Sequence, residues 1–402
     1  MRFPYLCALA VLVVPTIAAD AASTQDANAS VAQPSAIAQP AAFQVSTTDA
    51  DTTAAFQAMV TAGTKAGGSV FLPCGHYRIS APITIGNAYG FRIYGEARGC
   101  VTITQSTPAT PIFKIAGYAD HAFRIDDFTA SWSAPDRDPG AAIVEIDGGG
   151  GDGSEFNFEL DHLIGTNGAR MLSVRKGGLA WGVNFHDNTR ESSMTGAMIG
   201  MPSQAGIPHI SIRDNYARLD GATMTEDLFQ IFACPQLIAE NNEVNGYGKG
   251  AFDSKKMHLF ALGQTSGLIQ GFNVEGVHIT GGGALIFVAN GGPNLQSLAL
   301  RDIRLAAYVE DKMPAYGIYA AAASSNSSSL EIDGLSAFAY PGSQASLGPY
   351  IADARTKISS IRAINWIKAD GAPYGHYTPD KLMPGYTGAA PAMDYDIAPT
   401  KP

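Results

Sequence analysis

Glu226 and Asp227, with Gln230, fall in the segment MTEDLFQIFA; Asp253, Lys255 and His258 fall in a segment that reads alike, FDSKKMHLFA. Aligned through Phe232 and Phe260, the two segments set Asp227 beside Lys255 and Gln230 beside His258, with Glu226 and Asp253 flanking. Two chemistries draw on such residue types. Hydrolysis of a glycosidic bond needs an acid and a base or nucleophile, usually two carboxylates about 5–10 Å apart. Elimination across a uronate needs a base for the proton at C5 and a cation or hydrogen-bond donors on the carboxylate. Asp227 or Glu226 would serve as the carboxylate partner, and Lys255 or His258 as the proton-transfer group. The competing explanation is a solvated ion pair at a strand entrance, which contributes little.

A second group lies earlier in the chain. His186, Arg190 and Glu191 occur together in HDNTRE, and Arg213 and Arg218 follow in the next similar stretch. Arginines stacked on one ridge could hold an acidic sugar through paired contacts to its carboxylate, so Arg190, Arg213, Arg218 and Gln230 are the candidate substrate-binding residues. His162 and Asp161 occupy an equivalent earlier turn, where a lone histidine is more often structural. The acids of DGGGGDGSE (Asp147 to Glu155) lack the alternating ligand positions of a calcium loop. They read as a flexible loop, and no metal site is expected there.

These residues need a scaffold, and the repeats supply one. A short apolar strand followed by a polar turn recurs as FRIYGE, FRIDDF, FELDHL, VNFHDN, ISIRDN, LIAENN, FNVEGV, LALRDI, LEIDGL and SSIRAI. The spacing is roughly 25 to 35 residues, a solenoid period. A second strand series runs AMIGM, LFQIFA, HLFALG, LIFVANG, GIYAAAA and PYIAD. One turn of a parallel β-helix holds two or three short strands and their corners, with strands of successive turns about 4.8 Å apart. Leucine-rich and propeller patterns are missing. Three corners, Asp187-Asn188, Asp214-Asn215 and Asn241-Asn242, recur at 27-residue intervals and predict a ladder of stacked amides bonded to the corner backbone of adjacent turns.

The segments DTTAAFQAMV, GGSVFLPCGHYRIS and ITI through FRIYGE resemble the N-terminal signature of the pectate lyase superfamily. The resemblance extends by period and corner chemistry over residues 43–369. It implies an all-β fold, a right-handed parallel β-helix solenoid with an N-terminal capping helix; the repeats give about ten turns and the capping signals place the helix at Asp51 to Lys65. It also implies an enzyme acting on polysaccharide by β-elimination, hydrolysis or epimerisation in a groove along one face. The polygalacturonate hydrolases carry Asn-x-Asp, Asp-Asp, Gly-His-Gly and Arg-x-Lys in that order. Here Asp126-Asp127 comes too early and Gly-His-Gly does not occur. No cofactor is expected. Calcium is the one ion held open, since calcium-dependent pectate lyases combine an acidic cluster with an arginine in one groove, though no matching set can be placed.

Charge and composition bound the rest. The 402 residues carry a formal net charge of −10 with 44 glycines, which argues against nucleic acid or an anionic membrane as partner; the partner that the resemblance implies is a polysaccharide. Arg2, the apolar run from Tyr5 to Ala18 and the small residues after it read as a signal peptide over 1–22. A linker over 23–42 and an irregular tail over 370–402 flank the solenoid, and the protein is expected to be secreted or periplasmic. Cys74 and Cys100 are near enough in sequence to form a disulfide, leaving Cys234 as a free thiol. A polysaccharide lyase leads as the functional expectation, with a glycoside hydrolase using paired carboxylates and a non-catalytic carbohydrate-binding or adhesion protein as alternatives. Oligomeric state is not legible.

Overall fold

The computed structural model of the chain describes residues 51–367 with short interruptions, the longest at 148–154, together with residues 392–394. The expected signal peptide, the linker and most of the DGGGGDGSE loop therefore lie outside the described residues. Among the described residues one helix, Thr53–Ala66, precedes a succession of strands. The first turn is Ser69–Leu72, Gly75–Ile79 and Ile83–Ile85, and each of the three pairs in parallel with its counterpart in the next turn, Arg92–Gly95, Val101–Gln105 and Phe113–Ile115. Repetition of this step builds three parallel sheets, here called first, second and third in the order the chain visits them. Eleven strands follow one another along the second sheet. The first and third sheets merge where Phe229–Glu240 and Phe260–Gln270 run straight through a corner and pair with members of both.

Period-2 alternation sets the core. Val101, Ile103 and Gln105 are buried while the two threonines between them are half-buried, and inward residues of neighbouring turns meet as like pairs. Phe123 stacks on Phe158 with centroids 5.0 Å apart, and Phe229 on Phe260 at 4.6 Å. The helix closes the end of this column. Asp51 Oδ1 accepts from the Thr53 N–H at 2.9 Å at its start. Phe56 and Val60, one turn apart on one face, are fully buried, with Phe56 packed edge-on against Phe113. An open end of a solenoid exposes apolar core and unpaired strand edges, and a capping element removes that liability.

The corner from first to second sheet explains the polar turns of the repeat. Asp127, His162, Asp187, Asp214, Asn241 and Asp302 all occupy the left-handed region there, with φ between 51° and 63°, and Gly271 and Gly334 do so in later turns. Asp, Asn and Gly tolerate that region best. The next residue points inward, and in three consecutive turns it is a buried asparagine. Asn188 Oδ1 accepts from Leu163 N–H, Asn215 Oδ1 from Asn188 N–H and Asn242 Oδ1 from Asn215 N–H, at 3.1, 3.0 and 3.2 Å. The amide ladder expected from the 27-residue spacing is present.

Two expectations change. FNVEGV does not belong to the first sheet. From Asn273 onward its residues lie in the second-sheet strand Asn273–Thr280, and the first-sheet member of that turn is the segment ending at Gln270. Glycine replaces the corner acid at Gly271, which hides the turn from a search for Asp or Asn. Within the expected irregular tail, Ala392–Asp394 is a strand paired with Ser360–Arg362. Cys74 and Cys100 form a disulfide across successive turns, with Cα atoms 4.8 Å apart. Cys234 is a buried free thiol, and burial pushes its pKa up to about 12.

Candidate functional site

One register row of the third sheet carries polar side chains in its earlier turns. Lys114, Glu145, Ser173 and Gly200 are successive neighbours. Ile199 faces Phe229, so Gly200 lies beside Gln230, which is followed by Ala261 and Phe287. Beside this row is a cleft of about 410 Å³ lined by Asp138, Glu145, Arg170, Ser173, Arg175 and Gln230 among others. Its floor is braced by charge. Arg170 Nε donates to Glu226 Oε1 at 2.8 Å, its Nη2 donates to Glu226 Oε2, and its Nη1 donates to Ser173 Oγ at 3.1 Å. Gln230 Nε2 donates to Glu226 Oε2 at 3.1 Å, while its Oε1 accepts from Met201 N–H. Two glycines make room for this brace. A Cβ at Gly200 would meet the Arg170 guanidinium at 2.3–2.6 Å, and one at Gly196 would meet Glu226 Oε1 at 2.4 Å.

Next to the cleft stands a histidine–carboxylate pair. Asp227 Oδ1 accepts from the backbone N–H of His258 at 2.7 Å and meets its Nδ1 at 2.9 Å. The His258 ring stacks on Phe287 at 4.7 Å with planes 19° apart, and both members of the pair are largely buried, with side chains 14% and 18% exposed. An ionised carboxylate only accepts, so Nδ1 is the donor of this contact, and in the singly protonated ring Nε2 is the nitrogen left with a free lone pair. A base held in one tautomer by a third group is the arrangement proton abstraction needs.

A family model described as rhamnogalacturonase A/epimerase, pectate lyase-like, matches residues 45–123, a stretch that includes the helix and the first turns. The chain folds as a pectate-lyase-like right-handed parallel β-helix. Solved structures similar to this β-helix include the catalytic unit of a thermostable α-1,3-glucanase from Streptomyces thermodiastaticus, 13% identical over 81% of this chain and 68% of that one, with a TM-score of 0.38. The A-module of a mannuronan C-5 epimerase from Azotobacter vinelandii is 12% identical over 85% and 96% of the two chains, with a TM-score of 0.36. A search of the curated proteins returns no significant match.

Within the β-helix the sequence-predicted residues separate. Asp227 and His258 come together, but Asp227 faces His258 and not Lys255, and Gln230 faces Ala261. The stacked pair that sets the register is Phe229 with Phe260, three residues away from the alignment through Phe232. Lys255 is exposed, with its backbone N–H on Asp253 Oδ1 at 3.1 Å, and Asp253 pairs with Lys256. The Lys256 hydrogen bond holds the Asp253 carboxyl below the usual carboxylate range. Glu226 and Gln230 belong to the cleft brace. Arg190 is not on a ridge. It is fully buried, and its guanidinium donates to the carbonyls of Gly196, Met194 and Arg218, with desolvation lowering its pKa to about 10. It cannot meet a substrate there. Arg213 lies on the first sheet, paired with Glu240 at 3.1 Å, and Arg218 on the second, paired with Glu191 at 3.3 Å.

Sequence reading missed Glu145, Arg170 and Arg175. The available signal was a charge inside or flanking a buried strand, as in AAIVEID and RMLSVR, where surface solvation alone would not place one. A further group, Glu159, Asp161 and His186 on the first sheet, brings possible metal-ligand atoms within 4.8 Å of one another. These atoms are already engaged. His186 meets Glu159 through Nε2 and Asp187 through Nδ1, both at 2.8 Å, and Arg124 forks onto Asp161.

Proposed function

We propose that the third-sheet cleft binds a polysaccharide and that the protein cleaves an acidic, uronate-containing polymer by β-elimination. The observation that carries this reading is the Asp227–His258 pair, 2.9 Å apart, on the segment that leads into Gln230 of the cleft lining. In the reaction, Nε2 takes the proton on C5, the electron pair of that C–H bond forms the C4–C5 double bond, the C4–O bond breaks, and the departing oxygen takes up a proton. The sequence resemblance and the family match over residues 45–123 support carbohydrate as the substrate class.

Hydrolysis is less well supported because three carboxylates of this face are each held by a side-chain partner: Glu226 by Arg170, Glu145 by Arg175 and Asp227 by His258. Such pairs hold groups in place and do not offer the spaced acid and base of a glycosidase. Secretion or periplasmic export belongs to the same proposal. It is supported by the N-terminal sequence and by the Cys74–Cys100 disulfide, a bond that persists in oxidising compartments.

The deciding experiment incubates the protein with acidic and neutral polysaccharides while following ultraviolet absorbance of unsaturated uronate and reducing ends together. A rise in both supports elimination. Reducing ends without absorbance would replace it with hydrolysis, and retention of a polymer without either would favour a binding protein.

A further inference from the structure

We infer that Arg175, positioned by Glu145, is the residue that recognises an acidic group of the bound polymer, at a sugar removed along the chain from the one attacked at His258. This rests on the reading of the cleft as a polysaccharide site and names what that site selects.

Three arginines lie in or near the cleft, and their hydrogen bonds distinguish them. Arg170 spends Nε, Nη1 and Nη2 on Glu226 and Ser173. Arg190 is sealed in the core on backbone carbonyls. Arg175 is different: its side chain is 51% exposed, it lines the cleft, and among the described residues its close partner is Glu145 alone, Nε to Oε2 at 2.7 Å. That single contact leaves the two Nη groups of the guanidinium fork for a ligand. A planar fork with two free donors matches a carboxylate.

Glu145 supplies the second observation. It is 1% exposed, and its Oε1 is buried with no hydrogen-bond partner. A buried carboxylate with one oxygen unsatisfied is costly, and stability alone would favour an apolar residue in its place. Its position beside Lys114 and Ser173 on the cleft floor accounts for it as an anchor that fixes the plane of Arg175. Asp138 also lines the cleft; its Oδ1 accepts from Gly140 N–H at 2.8 Å, and it offers an acceptor to a sugar hydroxyl.

The solenoid sets the spacing. Ser173, Gly200, Gln230 and Ala261 are neighbours one turn apart, so the turn of Arg175 and the turn of His258 are separated by three steps, about 14 Å at about 4.8 Å each. The group read by Arg175 therefore belongs to a different sugar from the one that loses its proton.

The test compares the wild type with Arg175→Gln, Arg175→Lys and the near-isosteric Glu145→Gln on oligogalacturonates and oligomannuronates of increasing length and on their carboxyl-reduced counterparts, by calorimetric binding and by turnover. Arg175→Gln should weaken binding of long acidic oligomers, and raise KM, by about 10- to 100-fold, with kcat within about threefold. It should match the wild type on reduced oligomers and on acidic ones too short to span the interval. Arg175→Lys should recover part of the loss, and Glu145→Gln should shift the same acidic-against-reduced ratio by a smaller factor. Equal affinity of wild type and Arg175→Gln for acidic oligomers, or an equal loss on acidic and reduced ones, overturns the inference even if the wild type is a lyase. A wild type that binds acidic oligomers through Arg175 but releases no unsaturated product defeats the lyase reading and leaves this one standing. A wild type that binds no acidic oligomer defeats both.

Discussion

Asp227 Oδ1 holds His258 twice, through the backbone N–H at 2.7 Å and through Nδ1 at 2.9 Å, from the corner that leads into the strand Phe229–Glu240 one turn away. The carboxylate thus fixes both the tautomer and the position of the ring, and Phe287 fixes its plane from the other side. Removal of the base should lower kcat by about 10²- to 10⁴-fold in His258→Ala, with KM little changed. Asp227→Asn should lose less, since the ring remains in place but its tautomer is released. Turnover measured as unsaturated product checks this, and full activity in both variants would take proton transfer away from the pair.

Gly200 is where the cleft brace meets the backbone. Its missing Cβ lets the Arg170 guanidinium lie across the strand on its way to Glu226. Gly200→Ala should force that side chain aside, with a destabilisation of about 1–3 kcal/mol and weaker binding of every polymer, acidic or reduced. Denaturant unfolding and calorimetry together measure both effects. An unchanged variant would mean that the brace is loose in solution.

Asn215 is the middle rung of the corner ladder. It accepts from Asn188 N–H, donates through its own N–H to Asn242 Oδ1, and donates through Nδ2 to the carbonyl of Phe185. Asn215→Ala leaves the Asn188 N–H buried without its partner, at about 1–3 kcal/mol, and takes the side-chain donor from the Phe185 carbonyl. Asn215→Asp keeps the acceptor and loses the donor, so it should fall between. Thermal unfolding of the three proteins gives the order directly.

The sequence carried the architecture further than the site, for a physical reason. Corner residues such as Asp187-Asn188 and Asp214-Asn215 answer to a local backbone requirement, a left-handed turn followed by an inward amide, and so recur at a fixed interval that can be read without coordinates. The third-sheet register has no such marker. Asp227 pairs with His258 because Phe229 stacks on Phe260, yet Phe232 offers an equally plausible partner in sequence, and the choice depends on loop lengths between strands. Arg190 looks like a ridge arginine because its neighbours His186 and Glu191 are polar. Only the inward turn of Thr189–Arg190 and the carbonyls around it show that it fills the core.

His186 on the first sheet is expected to make stability depend on pH. Burial pulls its pKa down, but the hydrogen bonds to Asp187 and Glu159, with the nearby charge of Asp161, carry it above the ordinary value. The ring of His162 lies edge-on 6.4 Å away, Arg213 is the register neighbour in the next turn, and Arg124 reaches Glu159 and Asp161 from the turns below. With carboxylates at both nitrogens, the imidazolium is the form that donates to both. A folded pKa above the unfolded one gives a contribution fully present below about pH 6.5 and lost as pH rises through the higher folded value. The difference in unfolding free energy between wild type and His186→Gln should therefore be largest below that window and shrink above it. A difference that stays constant across the window would assign His186 a packing role alone.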